Sequence, residues 1–337
     1  MTERAAAPAA WTTRRAGDRP RVVVVGDAGL DVVARYADPL TPGGDTRAAV
    51  SVEPGGAGAN TAAWLAALGA DPLLVARVGD DPAGQQVADG LAAAGVECAF
   101  TVDRAAPTCC VVVLVDRHGQ RTMLADRGAN GRFSPADLPD LVAAARAGAR
   151  HLHLSGYLLL DASSRPAAVA ALAGAAAAGL TTSIDPQAAR LITDPETFLT
   201  AVHGVDLLLP NQAELAALTG SADPASAVRL LDRVGAVAVT TASAGATWVD
   251  RDGVVTVPGE PAACVDSTGA GDAFDAGLLV AWLAGAGPAE AVRAGVAAGT
   301  RAVGVVGARP PATRPAAGSA AAGSAVAGSA ASGPATP

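Results

Sequence analysis

What most constrains this chain is a repeated order: a short β-branched or leucine-rich run, a turn, then an alanine-rich stretch with helical composition. The run at 21–26 ends in a Gly-Asp turn. Strand-like segments recur at 72–78, 151–154, 180–185, 205–210 and 236–241, and helical ones at 59–68, 83–94, 165–178, 270–284, 289–303 and onward from 212. Such alternation requires crossover connections, so the strands run parallel and helices cover both faces of their sheet. Ligands of such sheets sit beyond the carboxyl ends of the strands. The polar residues just after each run are therefore the ones able to carry function. Segments 109–116 and 121–125 flank Arg117-His118-Gly119-Gln120 as a hairpin, and 245–250 with 254–257 forms a second. Two stretches, 31–53 and 97–126, break the rhythm and read as a small accessory sheet covering the mouth of a strand-end site.

Half of the 337 residues are hydrophobic but only 3% are aromatic, so the core is built from Ala, Val and Leu. A net charge of −8 argues against a nucleic-acid partner, which needs a basic face. No apolar run reaches the roughly 18 uncharged residues of a membrane span. Arg14-Arg15 leads into the charged stretch 16–21, which leaves no room for the apolar region of a secretion signal. Cys98, Cys109, Cys110 and Cys264 form no C-x-x-C and read as small core residues of a cytoplasmic protein. Lysine is absent, which removes both a Walker lysine and a Schiff-base lysine. Any phosphate must then be held by backbone N–H groups, Arg or metal. Residues 1–20 read as a polar tail. From 312 to 337 the chain is dominated by Ala, Gly, Ser and Pro, with Ala-Gly-Ser-Ala at 317, 322 and 327. Such a tract cannot bury a core and reads as a second flexible tail, so the folded part is 21–311.

Four motifs carry chemistry. In Asp266-Ser267-Thr268-Gly269-Ala270-Gly271-Asp272, two glycines open an apolar helix and leave backbone N–H groups at the positive end of its dipole. Asp272, in the first turn, can take a proton from an attacking hydroxyl. The same residues also fit a Gly-rich turn whose first-turn acid stabilises the helix. In Pro54-Gly55-Gly56-Ala57-Gly58-Ala59-Asn60, a flexible turn brings backbone close to a ligand, and Asn60 offers a donor and an acceptor to hydroxyls. The third glycine of a dinucleotide fingerprint is missing, and no clear strand leads straight in. Asn211 and Glu214, three apart after a strand, can hold hydrated Mg²⁺ or simply start a helix. Asp31, beyond the first strand, can accept from sugar hydroxyls, with Asp27 as its competitor and a surface acid as the bland reading. His151 and His153 share one face of a strand and, without further ligands, read as packing.

Taken together in this order, the motifs resemble the ribokinase or PfkB family of sugar and nucleoside kinases over 21–311. Residues 266–277 resemble its D-[ST]-x-G-A-G-D-x-F-x-x-G signature, 55–69 its GG-x-G-x-N signature, and 78–84 its VG-x-D-x-x-G. Asn211–Glu214 resembles N-x-x-E, and Thr240 and Gly245 lie in a segment similar to the nucleotide loop V-T-x-G-x-x-G. The resemblance implies a three-layer α/β/α fold with a mostly parallel central sheet and a small β lid from 31–53 and 97–126. It also implies ATP-dependent phosphorylation of a hydroxymethyl group of a small sugar. By position, Asp272 would be the general base and Gly269, Ala270 and Gly271 the anion hole. Asn211 and Glu214 would organise Mg²⁺ through water, with Asn211, Thr240 and Gly245 on the nucleotide side. Asp31, Gly56 and Asn60 would grip the acceptor, Asp266 would neighbour an activating K⁺, and the lid would mediate a homodimer.

The chain departs from the ribokinases proper at Ala57, where they carry Lys, and at Ser155, where they carry Glu. Ala242 stands where the nucleotide loop usually has Gly, an adenine-side Asn is not evident near 296, and Asp185-Pro186-Gln187 resembles D-P-N only loosely. A sugar kinase is thus the leading reading and a nucleoside kinase of adenosine or pseudouridine type the alternative. Tyr36, Tyr157, Phe100 and Phe274 are the aromatics available to a base. A phosphosugar acceptor would call on Arg35, Arg47, Arg104 or Arg132. An NAD-dependent oxidoreductase, suggested by Gly26 and Gly29, and a silent ligand sensor are the readings from other classes.

Overall fold

The computed structural model describes residues 19–118 and 121–311. The two tails read from composition fall outside the described residues, apart from 19 and 20. Along the chain come β1 (Arg21–Val25), β2 (Gly29–Tyr36), β3 (Ala48–Gly55), α1 (Ala57–Ala67), β4 (Asp71–Gly79), α2 (Pro82–Ala93), β5 (Glu97–Asp103), β6 (Cys109–Val115) and β7 (Arg121–Asp126). The middle holds α3 (Leu141–Arg146), β8 (Ala149–Ser155), α4 (Tyr157–Leu160), α5 (Arg165–Ala177), β9 (Thr181–Asp185), α6 (Pro195–Ala201), β10 (Leu207–Leu208) and α7 (Gln212–Thr219). The chain then forms β11 (Ala236–Thr240), β12 (Gly245–Asp250), β13 (Gly253–Pro258), α8 (Ala270–Leu283) and α9 (Pro288–Val303).

Nine strands form one sheet in the order β13-β12-β11-β10-β9-β8-β1-β4-β5. All neighbours from β11 to β5 pair in parallel, and β12 and β13 add an antiparallel edge. β1 shows why its sequence is a continuous valine run. Val23 and Val25 face one layer of helices and Val22 and Val24 the other, so both faces of the strand are buried. The first layer includes α3 to α7, and the second includes α1, α2, α8 and α9. With so few aromatics, small side chains bring helices close to the sheet, and α1 supplies one large buried filler, Trp64.

A second sheet, ordered β3-β2-β6-β7, stands apart from the first. Its β6–β7 pair is the hairpin expected at 109–125, and β12–β13 is the second expected hairpin. One boundary differs from the sequence reading. Residues 97–103, assigned there to the accessory sheet, instead pair in parallel with β4 as the edge of the main sheet. The reason is the α2 crossover, which returns the chain beside the strand it left. Asp81 anchors that crossover: it accepts from Gly84 N at 2.8 Å to cap α2, and from Thr108 N at 2.7 Å and Oγ1 at 2.6 Å. The 78–84 motif thus ties the main sheet to the start of β6, where the chain re-enters the second sheet. A further difference lies at 48–55, an unambiguous strand that runs straight into the glycine turn. Among the described residues no helix is long and apolar enough to cross a membrane.

Candidate active site

Gly269 opens α8 in the left-handed conformation, φ +74°, where a Cβ would collide with the Ala308 carbonyl. No side chain caps the helix. Among the described residues, nothing accepts from the Gly271 and Asp272 N–H groups, and a Cβ on Gly271 would meet nothing within 4 Å. The first turn is therefore an open, positively polarised cradle of a size and charge suited to a phosphoryl group.

Asp272, at the edge of that cradle, is buried. Its Oδ2 accepts from Asn60 Nδ2 at 3.1 Å and its Oδ1 from Thr61 Oγ1 at 3.5 Å. Burial pushes its carboxyl up to about 7, against the pull of these donors. A carboxylate poised near neutrality is matched to taking a proton at working pH. The donors come from α1, which can approach because Gly58 and Gly26 touch backbone to backbone. A Cβ on either would lie within 2.8 Å of the other's Cα.

Asp31 lies on β2 against Gly55, and burial raises its carboxyl to about 6 while Arg309 opposes the shift. It faces a cavity of about 310 Å³ whose wall includes Arg35, Glu53, Arg121, Asp266 and Thr268. Among the described residues no Phe, Tyr or Trp lines it, and neither do Gly56, Asn60, Gly271 or Asp272. Gly56, at φ +91°, turns the chain from β3 into α1 and brings backbone against Asp27 and Ala28. Asp27 points elsewhere: it pairs with Arg127 at 2.9 Å, so between the two competing acids Asp31 is the one on the cavity. Of the four arginines considered for an anionic acceptor, Arg35 lines the cavity, while Arg104 pairs with Asp80 and Arg132 with Asp103. Gly26 and Gly29 serve close packing against Gly58 and Cys109, which gives the oxidoreductase reading no site.

Asn211 and Glu214 form a reciprocal cap at the start of α7. Asn211 Oδ1 accepts from Ala213 N and Glu214 N, and Glu214 accepts from Asn211 N at 2.8 Å and Nδ2 at 2.6 Å. Helix start and ligand candidate thus coincide, and each carboxylate oxygen keeps a lone pair for a metal-bound water. Burial raises Glu214 to about 7. Thr240 bridges to Asn211 as a parallel pair, which places Thr240, a nucleotide-side candidate of the sequence reading, next to this cap. Gly245, at φ +106°, closes the turn after Thr240. Within that turn Ala242 takes φ +50°, a left-handed conformation that explains why glycine suits the position.

Asp266 accepts from Thr268 N at 2.9 Å and Oγ1 at 2.6 Å and from Gly307 N at 3.1 Å. Burial acts to raise it, but these donors and Arg121 hold it below the usual carboxylate range. Arg121, on β7 of the second sheet, donates to Ser267 Oγ at 2.7 Å and to Thr268 Oγ1. The small sheet therefore touches the loop just before the cradle.

Several residues here escaped the sequence reading as site candidates. Asp185 and Asp275 sit buried beside Asp272 and Glu214, and burial together with these neighbouring charges pushes both carboxyls well above the ordinary range. Gln187 holds φ +74° and donates to Asp185 through N and Nε2, each at 2.8 Å. The weak D-P-N-like segment was its sequence signal. Thr61 and Arg309 carried none. Among the described residues no three His, Cys, Asp or Glu side chains converge as a metal cage. His151 and His153 are packing residues: His151 bonds to Thr181 and Ser183 and meets Trp282 edge-on, and His153 bonds to Ser183.

The model of the pfkB family carbohydrate kinases matches residues 19–315. A fructokinase of Klebsiella pneumoniae is 35% identical over 270 residues, covering 77% of this chain and 83% of that protein. An ATP-dependent ribose-1-phosphate kinase of Halopiger xanaduensis is 34% identical over 294 residues, covering 86% and 94%. Among solved structures, the adenosine kinase of Sinorhizobium meliloti superposes with a TM-score of 0.78 at 25% identity, over 87% of this chain and 96% of that one.

Proposed function

Given that this chain belongs to the pfkB carbohydrate kinase family, and is thus a phosphotransferase with a ribokinase-like fold, we propose that it transfers the γ-phosphoryl group of ATP to a hydroxymethyl group of a small sugar. The observation that carries this reading is the buried carboxyl of Asp272 at the rim of an uncapped helix start, with Asn60 and Thr61 donating to it. Asp31, Gly56 and Asn60 hold the acceptor. Asp272 takes the hydroxyl proton, the freed oxygen lone pair forms the new O–P bond, and the bond from the γ-phosphorus to the ADP oxygen breaks in line. Gly269, Ala270 and Gly271 form the turn that receives the transferring group; the Gly271 N–H is free to donate to it, while the Ala270 N–H already leans on the Ser267 carbonyl at 3.4 Å. Thr240, Gly245 and Asn211 border the nucleotide.

Asn211 and Glu214 suit Mg²⁺ held through water: Glu214 keeps lone pairs that accept from its hydration shell, while Asn211, whose Oδ1 is taken by Ala213 N and Glu214 N, holds that carboxylate in place, and no all-protein cage is needed. When bound, Mg²⁺ supplies neutralisation of phosphate charge. Asp266 is kept ionised by its donors, but Arg35 at 3.6 Å and Arg121 at 3.8 Å already face its carboxylate, so the residues present do not suit the neighbouring K⁺ that the resemblance implied. The small sheet serves as a lid and as a homodimer surface, the folded unit is 21–311, and the enzyme works in the cytoplasm. A sugar is favoured over a nucleoside because the described walls of the cavity at Asp31 hold acids and arginines and no Phe, Tyr or Trp to stack a base, Tyr157 near Asp272 lying outside that lining. The test is an ADP-release screen over D-fructose, D-ribose, D-ribose 1-phosphate and adenosine, with Asp272→Asn as control. Turnover of a sugar that vanishes in the variant supports the reading. Wild-type turnover in the variant removes the base assignment, and adenosine as the best acceptor replaces the sugar.

A further inference from the structure

Arg309 lies just beyond α9, outside every motif discussed above. Its guanidinium is mostly buried, and it donates from Nε to Asn60 Oδ1 at 3.3 Å and from Nη2 to the Gly55 carbonyl at 3.1 Å. The segment that carries it is itself fixed. The Ala308 carbonyl accepts from Trp64 Nε1 at 2.9 Å, and Gly307 N donates to Asp266 Oδ2 at 3.1 Å.

A carboxamide can be turned end for end with almost no change of shape, so its hydrogen-bond partners decide its orientation. A guanidinium only donates, so Arg309 can bond to one end of Asn60 alone, the oxygen. That choice turns Nδ2 toward Asp272, where it donates to Oδ2 at 3.1 Å. The reverse orientation would set two donors against each other at Arg309 and an amide oxygen against a carboxylate at Asp272. We propose that Arg309 is a positioning residue for phosphoryl transfer, acting through the side chain of Asn60 on the carboxylate of Asp272. The inference rests on the reading of Asp272 as the base. The second donor, on Gly55, fixes the turn that lies against Asp31, so one side chain sets both acceptor-side groups.

Charge adds to geometry. Asp272 faces Asp31 from β2, Asp185 from the end of β9, Tyr157 from α4 and Asp275 on its own helix, with Arg309 as the facing cation. Burial lowers Arg309 to about 10, which still leaves it charged at neutral pH. Loss of the cation therefore favours the protonated form of Asp272 and moves the acid limb of kcat/KM upward.

The experiment measures kcat, KM, the pH profile and Tm for Arg309→Met, Arg309→Lys, Asn60→Ala and the Met/Ala double variant, with D-fructose and MgATP as probes. Arg309→Met lowers kcat by about 100-fold, with a smaller change in KM, as expected for a misplaced reacting group. Arg309→Lys keeps the charge but not the two-point fork, so it restores the acid limb and recovers part of kcat. In the Asn60→Ala background, Arg309→Met slows the enzyme by less than about threefold, because the group it acts through is gone. Full additivity, or a lowered Tm with unchanged kcat and pH profile, overturns the proposal. If Arg309→Met does not fold, Arg309→Lys completes the same cycle. A substrate-free readout is the side-chain amide pair of Asn60 in ¹⁵N spectra, assigned by its loss in Asn60→Ala. It shifts and loses exchange protection in Arg309→Met; unmoved resonances refute the inference even if fructose is not an acceptor. Full activity of Asp272→Asn sinks the base reading instead, and leaves the amide readout to decide whether Arg309 orients Asn60.

Discussion

Replacing Asp272 by Asn should remove turnover and at the same time stabilise the fold at neutral and alkaline pH. The wild-type carboxyl is buried, and its titration lies near 7 against 3.8 for the free group. An acid raised in the folded state contributes its full share of stability below the unfolded value, and loses it as pH climbs through the folded one. The loss therefore accumulates between about pH 4 and about pH 7 and is constant above. At 1.36 kcal/mol for each unit, roughly three units correspond to an upper bound of about 4 kcal/mol. Asparagine carries no charge to bury. Its oxygen can still accept from Asn60, and its amide can donate to the Thr61 hydroxyl, so no partner is stranded. For a domain of this size, about 2 °C follows each kcal/mol, so the variant gains roughly 5–8 °C of Tm at pH 8. The assay is thermal unfolding of both proteins from pH 4 to pH 8.5, together with ADP release. A Tm difference independent of pH would refute the burial argument, and undiminished ADP release would refute the chemistry.

The same carboxyl gives kcat/KM an acid limb with its midpoint near pH 7, activity rising as the proton leaves; a flat profile from pH 5 to 9 would contradict it. The two cradle glycines should separate cleanly. Gly269→Ala forces a side chain into the left-handed region and onto the Ala308 carbonyl, which costs at least about 1–2 kcal/mol. Gly271→Ala meets open space, so Tm holds or rises by the equivalent of about 0.5–1 kcal/mol while turnover drops, because the new methyl occupies the cradle. Equal behaviour of the two variants in melting curves would count against the cradle geometry. Ala242→Gly relieves a left-handed alanine at φ +50° and should raise stability by about 0.5 kcal/mol after glycine's entropic cost, read from denaturant midpoints.

The parts of this molecule legible from sequence are those written in short-range patterns. The alternation of valine runs with alanine-rich helices specifies a parallel sheet, since a strand buried on both faces must be apolar throughout. Gly269 just before α8 and Gly271 in its first turn announce an uncapped helix start, because the backbone conformation there is local. Asn211 and Glu214 were visible for the same reason, and their spacing serves the helix cap and the candidate ligand role at once. The edge strand β5 was misplaced because its pairing is decided by the α2 crossover and not by its own residues.

Tertiary structure alone decided which of these residues meet. Asn60 reaches Asp272 across 212 positions, and Arg309 reaches Gly55 across 254. No periodicity encodes such distances. Between Asp27 and Asp31, four residues apart in the chain, composition offers no choice. The fold sends one to Arg127 and leaves the other on the cavity. The raised titration of Asp272 likewise belongs to its burial and not to its sequence neighbours, because desolvation is a property of everything packed around a group. Local sequence can supply the carboxyl and the helix that bears it; only the assembled layers can withdraw the water whose loss moves its titration toward neutral pH.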